Sequence, residues 1–190
     1  MSITLHDPEN ILLVLDSLEK QNPILYQGIT FSARQYFFVD PMIPYENGKA
    51  GLGNKLAFEL FIRKNKPGYY VSMDANDFKI INRFSHIVGD EAIKSIGRAL
   101  RNATLQMTHT KLFRSGGDEF LLYCEKKENA NLFVEIALKE LDQLDLIRGT
   151  HKITLSFGIG NSYEDAEKAL LEAKNKKTQI NTHIIHSNID

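Results

Sequence analysis

The chain has one cysteine, Cys124, and no tryptophan. A single thiol excludes a disulfide framework and a cysteine-rich zinc site. A charge excess of one sign is also missing, since 23 Lys and Arg face 24 Asp and Glu for a formal net charge of -1. That balance argues against a polybasic nucleic-acid or membrane-surface protein, so no nucleic-acid partner is expected. No apolar run approaches the roughly 20 residues that span a bilayer. The aliphatic stretch Ile11 to Leu15 follows acidic Asp7 and Glu9 rather than a basic segment, which makes a poor signal peptide. The expectation is a soluble cytoplasmic protein with no membrane contact. What is present is core material: 43% of the 190 residues are hydrophobic, including 11 Phe and 7 Tyr. Low hydrophobicity with high net charge, the mark of disorder, is absent.

The first 51 residues differ in texture from the rest and read as an N-terminal extension, too short for an ordinary sensor domain. Asp7-Pro8-Glu9-Asn10 is a helix start, followed by Ile11, Leu12, Leu15 and Leu18 at helical spacing. Ile29 to Phe31 and Gln35 to Val39 are β-branched and aromatic, so their composition predicts strands. Asp40 to Gly53 carries two Pro and three Gly and reads as a loop.

Residues 52–190 form the expected second unit. Asn54 to Lys64 predicts a helix and Tyr69 to Met73 a strand. Asp77 to Arg83 and Asp90 to Asn102 predict helices. Lys111 to Arg114 and Glu119 to Cys124 predict strands joined through Ser115-Gly116-Gly117, a hairpin signal. Ala130 to Leu144 is an amphipathic helix, Lys152 to Gly158 an alternating strand, Tyr163 to Lys177 a helix and Thr182 to His186 a closing strand. This order implies an α+β fold, a mixed central sheet flanked by helices.

Two acidic spots sit at strand ends. Tyr69 to Met73 runs straight into Asp74, and Gly116-Gly117 leads into Asp118-Glu119-Phe120. Where those strands are neighbours, Asp74 and Asp118 converge. Paired oxygen ligands of that kind suit Mg²⁺, a hard cation that also takes phosphate oxygens. A hairpin followed by solvated acids is the common alternative. The six His are scattered, and only His86 lies in a motif, where a structural hydrogen bond at a turn is the plainer role. Cys124 has no paired base and reads as a core residue. Arg114 is positioned either to pair with an acid or to touch a ligand.

Arg114-Ser115-Gly116-Gly117-Asp118-Glu119-Phe120 resembles the signature of the GGDEF family of nucleotide cyclases. Asp74 to Lys79, Asn82, His86 and Gly89-Asp90 are similar to that family's first block. Leu52-Gly53-Asn54-Lys55, Thr154 to Gly158 and Ala169 to Lys174 are similar to three further blocks, all in the family's order. The resemblance covers residues 52–187 and implies a polymerase-palm fold related to adenylyl cyclases.

The resemblance also implies chemistry: a diguanylate cyclase homodimer that condenses two GTP into cyclic di-GMP and releases pyrophosphate. By position, Asp74, Asp118 and the Ala75 carbonyl would hold Mg²⁺ or Mn²⁺. Asp118, Glu119 and Lys79 would be catalytic. Gly116 and Gly117 would admit the nucleotide, and Phe78, Lys79 and Lys174 would surround its phosphates. Asn82 and Asp90 would read guanine.

Several positions depart from the pattern. Asn76 replaces an Asp, Arg83 replaces the Asp after Asn82, and Ser85 replaces the Gly before His86. The Asn82 to Asp90 stretch is one residue short. Lys177-Thr178-Gln179 stands where the family has Gly-Arg-Asn, with Lys176 and Lys177 as substitute charges. The family's inhibitory Arg-x-x-Asp would fall at Met107 to Thr110 and is absent. Two other readings stay open at this point. One is a cyclic-oligonucleotide synthase with another base, related to minimal CRISPR-polymerase-like defence enzymes. The other is a degenerate domain that binds GTP or a protein without turnover.

Overall fold

In the computed structural model, residues 8–144, 154–175 and 184–186 are described. From residue 54 onward the element order is the one the pattern predicts. It runs α3 (Lys55–Arg63), β1 (Tyr69–Ala75), α4 (Phe78–Phe84), α5 (His86–Thr104), β2 (Thr110–Arg114) and β3 (Glu119–Cys124). It continues with α6 (Lys127–Asp142), β4 (Leu155–Gly160), α7 (Tyr163–Asn175) and β5 (Ile184–His186), after α1 (Pro8–Gln21) and α2 (Pro23–Phe38) at the start. The strands form one mixed sheet in the order β2-β3-β1-β4-β5. Its first three pairings are antiparallel, and β4 with β5 is parallel.

The alternation of each strand divides the sheet's two faces. Val71, Met73 and Ala75 of β1 join Phe120, Leu122 and Cys124 of β3 and Leu155, Phe157 and Ile159 of β4 in the main core. That core is closed by Ile93, Ile96 and Leu100 of α5 and by Phe133, Val134 and Ala137 of α6. Tyr70, Leu121, Tyr123 and Phe113 form a second cluster with Phe61 of α3 and Ala166 of α7. On that face Gly158 and Gly160 let α7 lie directly on β4. A Cβ at Gly160 would overlap the Ala166 amide, and one at Gly158 the Leu170 amide. Cys124 is fully buried, and burial pushes its thiol up to about 11, which fits the core role expected from sequence.

The N-terminal part corrects the sequence reading. Ile29 to Phe31 and Gln35 to Val39 are not strands: all but Val39 lie in α2. Their β-branched and aromatic composition gave way to packing against α1, through polar contacts that composition does not reveal. Buried Thr30 donates a 2.5 Å hydrogen bond to Glu19, and Arg34 pairs with Asp16 at 2.6 Å. The Asp40 to Gly53 loop folds back on itself: the Asp40 amide donates to the Leu52 carbonyl, and Val39 bridges Gly53. Gly53 in turn bonds the outer edge of β2, donating to Leu112 and accepting from Arg114.

Helix α5 also begins earlier than expected. His86 is its first residue rather than part of a turn, and the Ser85 hydroxyl caps it by accepting from the Ile87 amide at 3.1 Å. Residues 152 and 153 of the expected strand, and Lys176 to Gln179, lie outside the described residues.

Candidate active site

Asp74 is the sixth residue of β1 and stands opposite Glu119 of β3 on one side and Ser156 of β4 on the other. Residues opposite each other in a sheet share a face, so the Asp74 and Glu119 carboxylates both belong to the α7 face. The hairpin turn is drawn to the same place. The Ala75 amide donates to the Asp118 carbonyl at 3.1 Å, which continues the β1–β3 ladder one step past Glu119. The Ser115 amide donates to Glu119 across the turn at 3.0 Å. Asp74 and Asp118 thus meet at adjoining strand ends, as their sequence context predicts.

The electrostatics confirm the crowding. Burial and then the Asp74 charge raise the Asp118 carboxyl above the ordinary range, partly offset by Lys174 and Lys79. Burial, Asp74, Glu167 and Asp118 do the same to Glu119, again offset by Lys174. Lys174, on α7, reaches across to Asp74 with a 2.8 Å ion pair. Asp74 is nearly buried there, its side chain 12% exposed against 40% for Lys174. A small cavity of about 120 Å³ opens beside this pair, lined by Asp74, Glu119, Tyr163, Glu167 and Lys174.

The remaining expected site residues fall around this cluster. Lys79, on the first turn of α4, is exposed and close enough for its charge to act on Asp118. Phe78 is half-buried against the main core. Gly116 sits under Glu119, whose Oε2 would lie 2.5 Å from a Cβ there. Gly117 faces open space. Asn82 and Asp90 lie where α4 meets α5. The Asn82 amide side chain rests on Gly89, filling the volume a Cβ would need, while Asp90 is exposed one residue further on.

Two departures from the pattern now have a physical role. The Asn76 carboxamide donates to the Thr154 hydroxyl at 3.0 Å and accepts from Ser156 at 2.7 Å, a donor-and-acceptor bridge to β4 that a carboxylate cannot make. Met107 is packed against the core and Thr110 opens β2, so neither supplies a charge at that position.

Sequence reasoning left Arg114 open, and the structure resolves it. Its guanidinium donates twice to the Gly117 carbonyl, at 3.0 and 2.8 Å, and pairs with buried Asp40 at 3.2 Å. Reasoning from sequence missed Asp40, Tyr163 and Glu167. Asp40 carried no local signal. Glu167 did, because it lies seven residues before Lys174, two turns of α7 and therefore the same face.

The donor set, all carboxylate and carbonyl oxygen, fits Mg²⁺ or Mn²⁺. Among the described residues no three His, Cys, Asp or Glu side chains converge as a ready cage.

A mixed sheet with helices on both faces and carboxylates at the ends of its two central antiparallel strands defines a palm-type domain, the kind found in nucleotide cyclases and polymerases. The chain belongs to the GGDEF diguanylate cyclase domain family, which it matches over residues 49–181. It is 34% identical over 97 residues to the diguanylate cyclase DgcP of Escherichia coli, a match spanning 46% of this chain and 28% of that protein. Its fold is similar to the Pseudomonas aeruginosa diguanylate cyclase SiaD, solved with its activator SiaC, with a TM-score of 0.68 and 21% identity over 92% of this chain and 71% of that one. It is also similar to the coiled coil and GGDEF domain of Caulobacter crescentus DgcB, solved with c-di-GMP, with a TM-score of 0.66 and 17% identity over 92% of this chain and 97% of that one. Among the described residues no helix is long and apolar enough to cross a membrane.

Proposed function

We propose that this chain is an active diguanylate cyclase, condensing two GTP into cyclic di-GMP with release of two pyrophosphates. The observation that carries the reading is the meeting of Asp74, Asp118 and Glu119 at adjoining strand ends, with Lys79 and Lys174 in electrostatic reach. Asp74, Asp118 and the Ala75 carbonyl would hold Mg²⁺ or Mn²⁺, which would supply positive charge to offset that of the phosphates. Lys79 and Lys174 bind the triphosphate as point charges. The signature turn lets the nucleotide backbone close on Gly116 and Gly117. Glu119, next to Asp118 and opposite Asp74 in the strand register, is placed to take the proton of an attacking 3′-hydroxyl. Asn82 and Asp90 read the guanine edge, the carboxylate accepting from N1-H and the exocyclic amine.

Each protomer holds one GTP, and the 3′-hydroxyl of each attacks the α-phosphate of the other, so catalysis requires a homodimer. Residues 1–51 serve as an extension that ties onto the domain through Asp40 and Arg114. The α4–α5 corner favours keeping one alternative, a cyclase of the same chemistry with another base, because Asn82 there is turned onto Gly89. Incubation with each single NTP and each NTP pair plus Mg²⁺ or Mn²⁺, with products identified by mass spectrometry, tests both. Cyclic di-GMP from GTP alone is expected. A product with another base selects the alternative, and no product from any combination overturns the enzyme reading.

A further inference from the structure

Lys174 does more here than wait for a triphosphate. Its ammonium lies 2.8 Å from a carboxylate oxygen of Asp74. That carboxylate is one of the groups assigned to metal, and it is nearly closed off from water. Glu119 stands opposite Asp74 in the β1–β3 register, and the Asp118 carbonyl accepts from the Ala75 amide, so all three acidic residues stand at the same strand ends. Three carboxylates gathered on one sheet end, partly desolvated, need a counter-charge. The structure supplies it from α7, whose close seat on Gly158 and Gly160 brings the end of the helix over the strand ends.

We infer that Lys174 is a stand-in cation. It occupies Asp74 while the site is empty and must leave that carboxylate for a metal ion to bind there. This rests on the cyclase reading for the identity of the metal and the nucleotide. Its consequence is an order of events. A divalent ion arriving alone must displace an ammonium already paired with its ligand. An ion arriving with a triphosphate brings the anion that Lys174 can move to, so the lysine changes partner without losing one. Metal and nucleotide therefore bind with positive coupling, and Lys174 is the positioning residue that couples them. The lysine also prevents the bare carboxylate cluster from repelling itself, which stabilises the empty site.

The test is Mn²⁺ affinity, measured by electron paramagnetic resonance of the free ion on the full chain, with and without 3′-deoxy-GTP, which cannot react. For the native protein, Mn²⁺ binding alone is expected to be weak and to tighten when the nucleotide is added. Lys174→Met is expected to tighten Mn²⁺ binding in the absence of nucleotide about fivefold, the range of a partly exposed ion pair. It should also shrink the tightening that nucleotide brings. Lys174→Arg keeps the charge and is expected to behave as the native protein does. Asp74→Asn with Lys174→Met closes a double-mutant cycle, in which removing the lysine no longer changes nucleotide-free Mn²⁺ affinity. Thermal melts of each variant establish that it is folded, and Lys174→Gln replaces Lys174→Met if that variant is not.

Unchanged or weaker Mn²⁺ binding in the folded Lys174 variant overturns the inference. So does a tightening that persists in the Asp74→Asn background. Failure of the cyclase reading shows separately: the native protein then yields no cyclic product from GTP in the mass-spectrometric assay, whatever its Mn²⁺ affinities.

Discussion

The two ends of the site are built differently. At the carboxylate end, Asp74 is fixed by ladder pairing to β3 and β4 at once, and the Ala75 and Asn76 amides carry that pairing onto Asp118 and Thr154. At the end proposed to read the base, Asn82 and Asp90 sit on two helices that meet at a corner. The first of these has only seven residues and is entered through Asp77 in the left-handed region, at φ 54°. Backbone ladders hold atoms to within a hydrogen bond's tolerance, whereas a short helix is held by side-chain packing that a single residue can shift. Under the proposed function, the chemistry therefore stands on the rigid end and the choice of base on the adjustable one.

The largest expected effect breaks the rigid end. Asp74→Ala or Asp118→Ala removes a metal ligand and no core volume, so turnover should fall by about 1000-fold while the melting temperature changes little. Measurable cyclase activity in the doubly substituted protein would falsify the metal assignment. At the adjustable end a smaller effect is expected. Asp90→Ala should reduce the preference for GTP over ATP by about 10- to 100-fold, because adenine has no N1-H for a carboxylate to accept. Gly89→Ala, whose methyl group pushes the Asn82 side chain aside, should alter the same ratio with little change in stability, because the helix-propensity gain offsets the cost of moving that side chain. A GTP:ATP ratio unmoved by either substitution removes the corner from base reading.

A third comparison concerns concentration. Rate per protomer should rise with protein concentration and level off as dimers saturate, which activity assays beside analytical ultracentrifugation will show. A constant rate among monomers contradicts a shared active site.

The smallest effect is in pH. Asp118 and Glu119 bind protons more tightly in the folded protein than as ordinary carboxylates, near 4. Raised folded values mean stability that is fully present below the ordinary range and lost as pH rises through the raised values. Thermal melts of metal-free protein should therefore show a modest gain in stability on mild acidification from neutral pH. Asp118→Asn with Glu119→Gln should flatten it. Because both groups are partly solvated, the change should amount to a few degrees at most. A native protein whose melting temperature falls steadily on the same acidification contradicts that sign.

The α1–α2 pair teaches the complementary lesson. In β4, the alternation of Leu155 and Phe157 with Ser156 pointed to a strand by its period of two, and the strand is buried on both faces, over the core and under α7. In α2, Ile24, Ile29 and Tyr36 are strongly exposed, at 95%, 60% and 81%. With apolar side chains pointing outward at these positions, apolar periodicity did not betray the helix. What organises it is Thr30 on Glu19 and Arg34 on Asp16, contacts between residues eleven and eighteen apart in sequence. Arg114 failed for the same reason, since its partner Asp40 lies 74 positions away.

From residue 54 onward, residue order alone was enough for the strand–helix succession, the carboxylates at the strand ends and the glycine turn between them, because each depends on near neighbours and on a periodicity written into consecutive residues. Folding in three dimensions had to settle the rest. It placed Lys174 on Asp74, Asn82 on Gly89, Asn76 between Thr154 and Ser156, and Asp40 behind the signature turn. Each of those pairings depends on how the helices, strands and loops pack together, and in a chain of near-balanced charge no local pattern says which cation will meet which carboxylate.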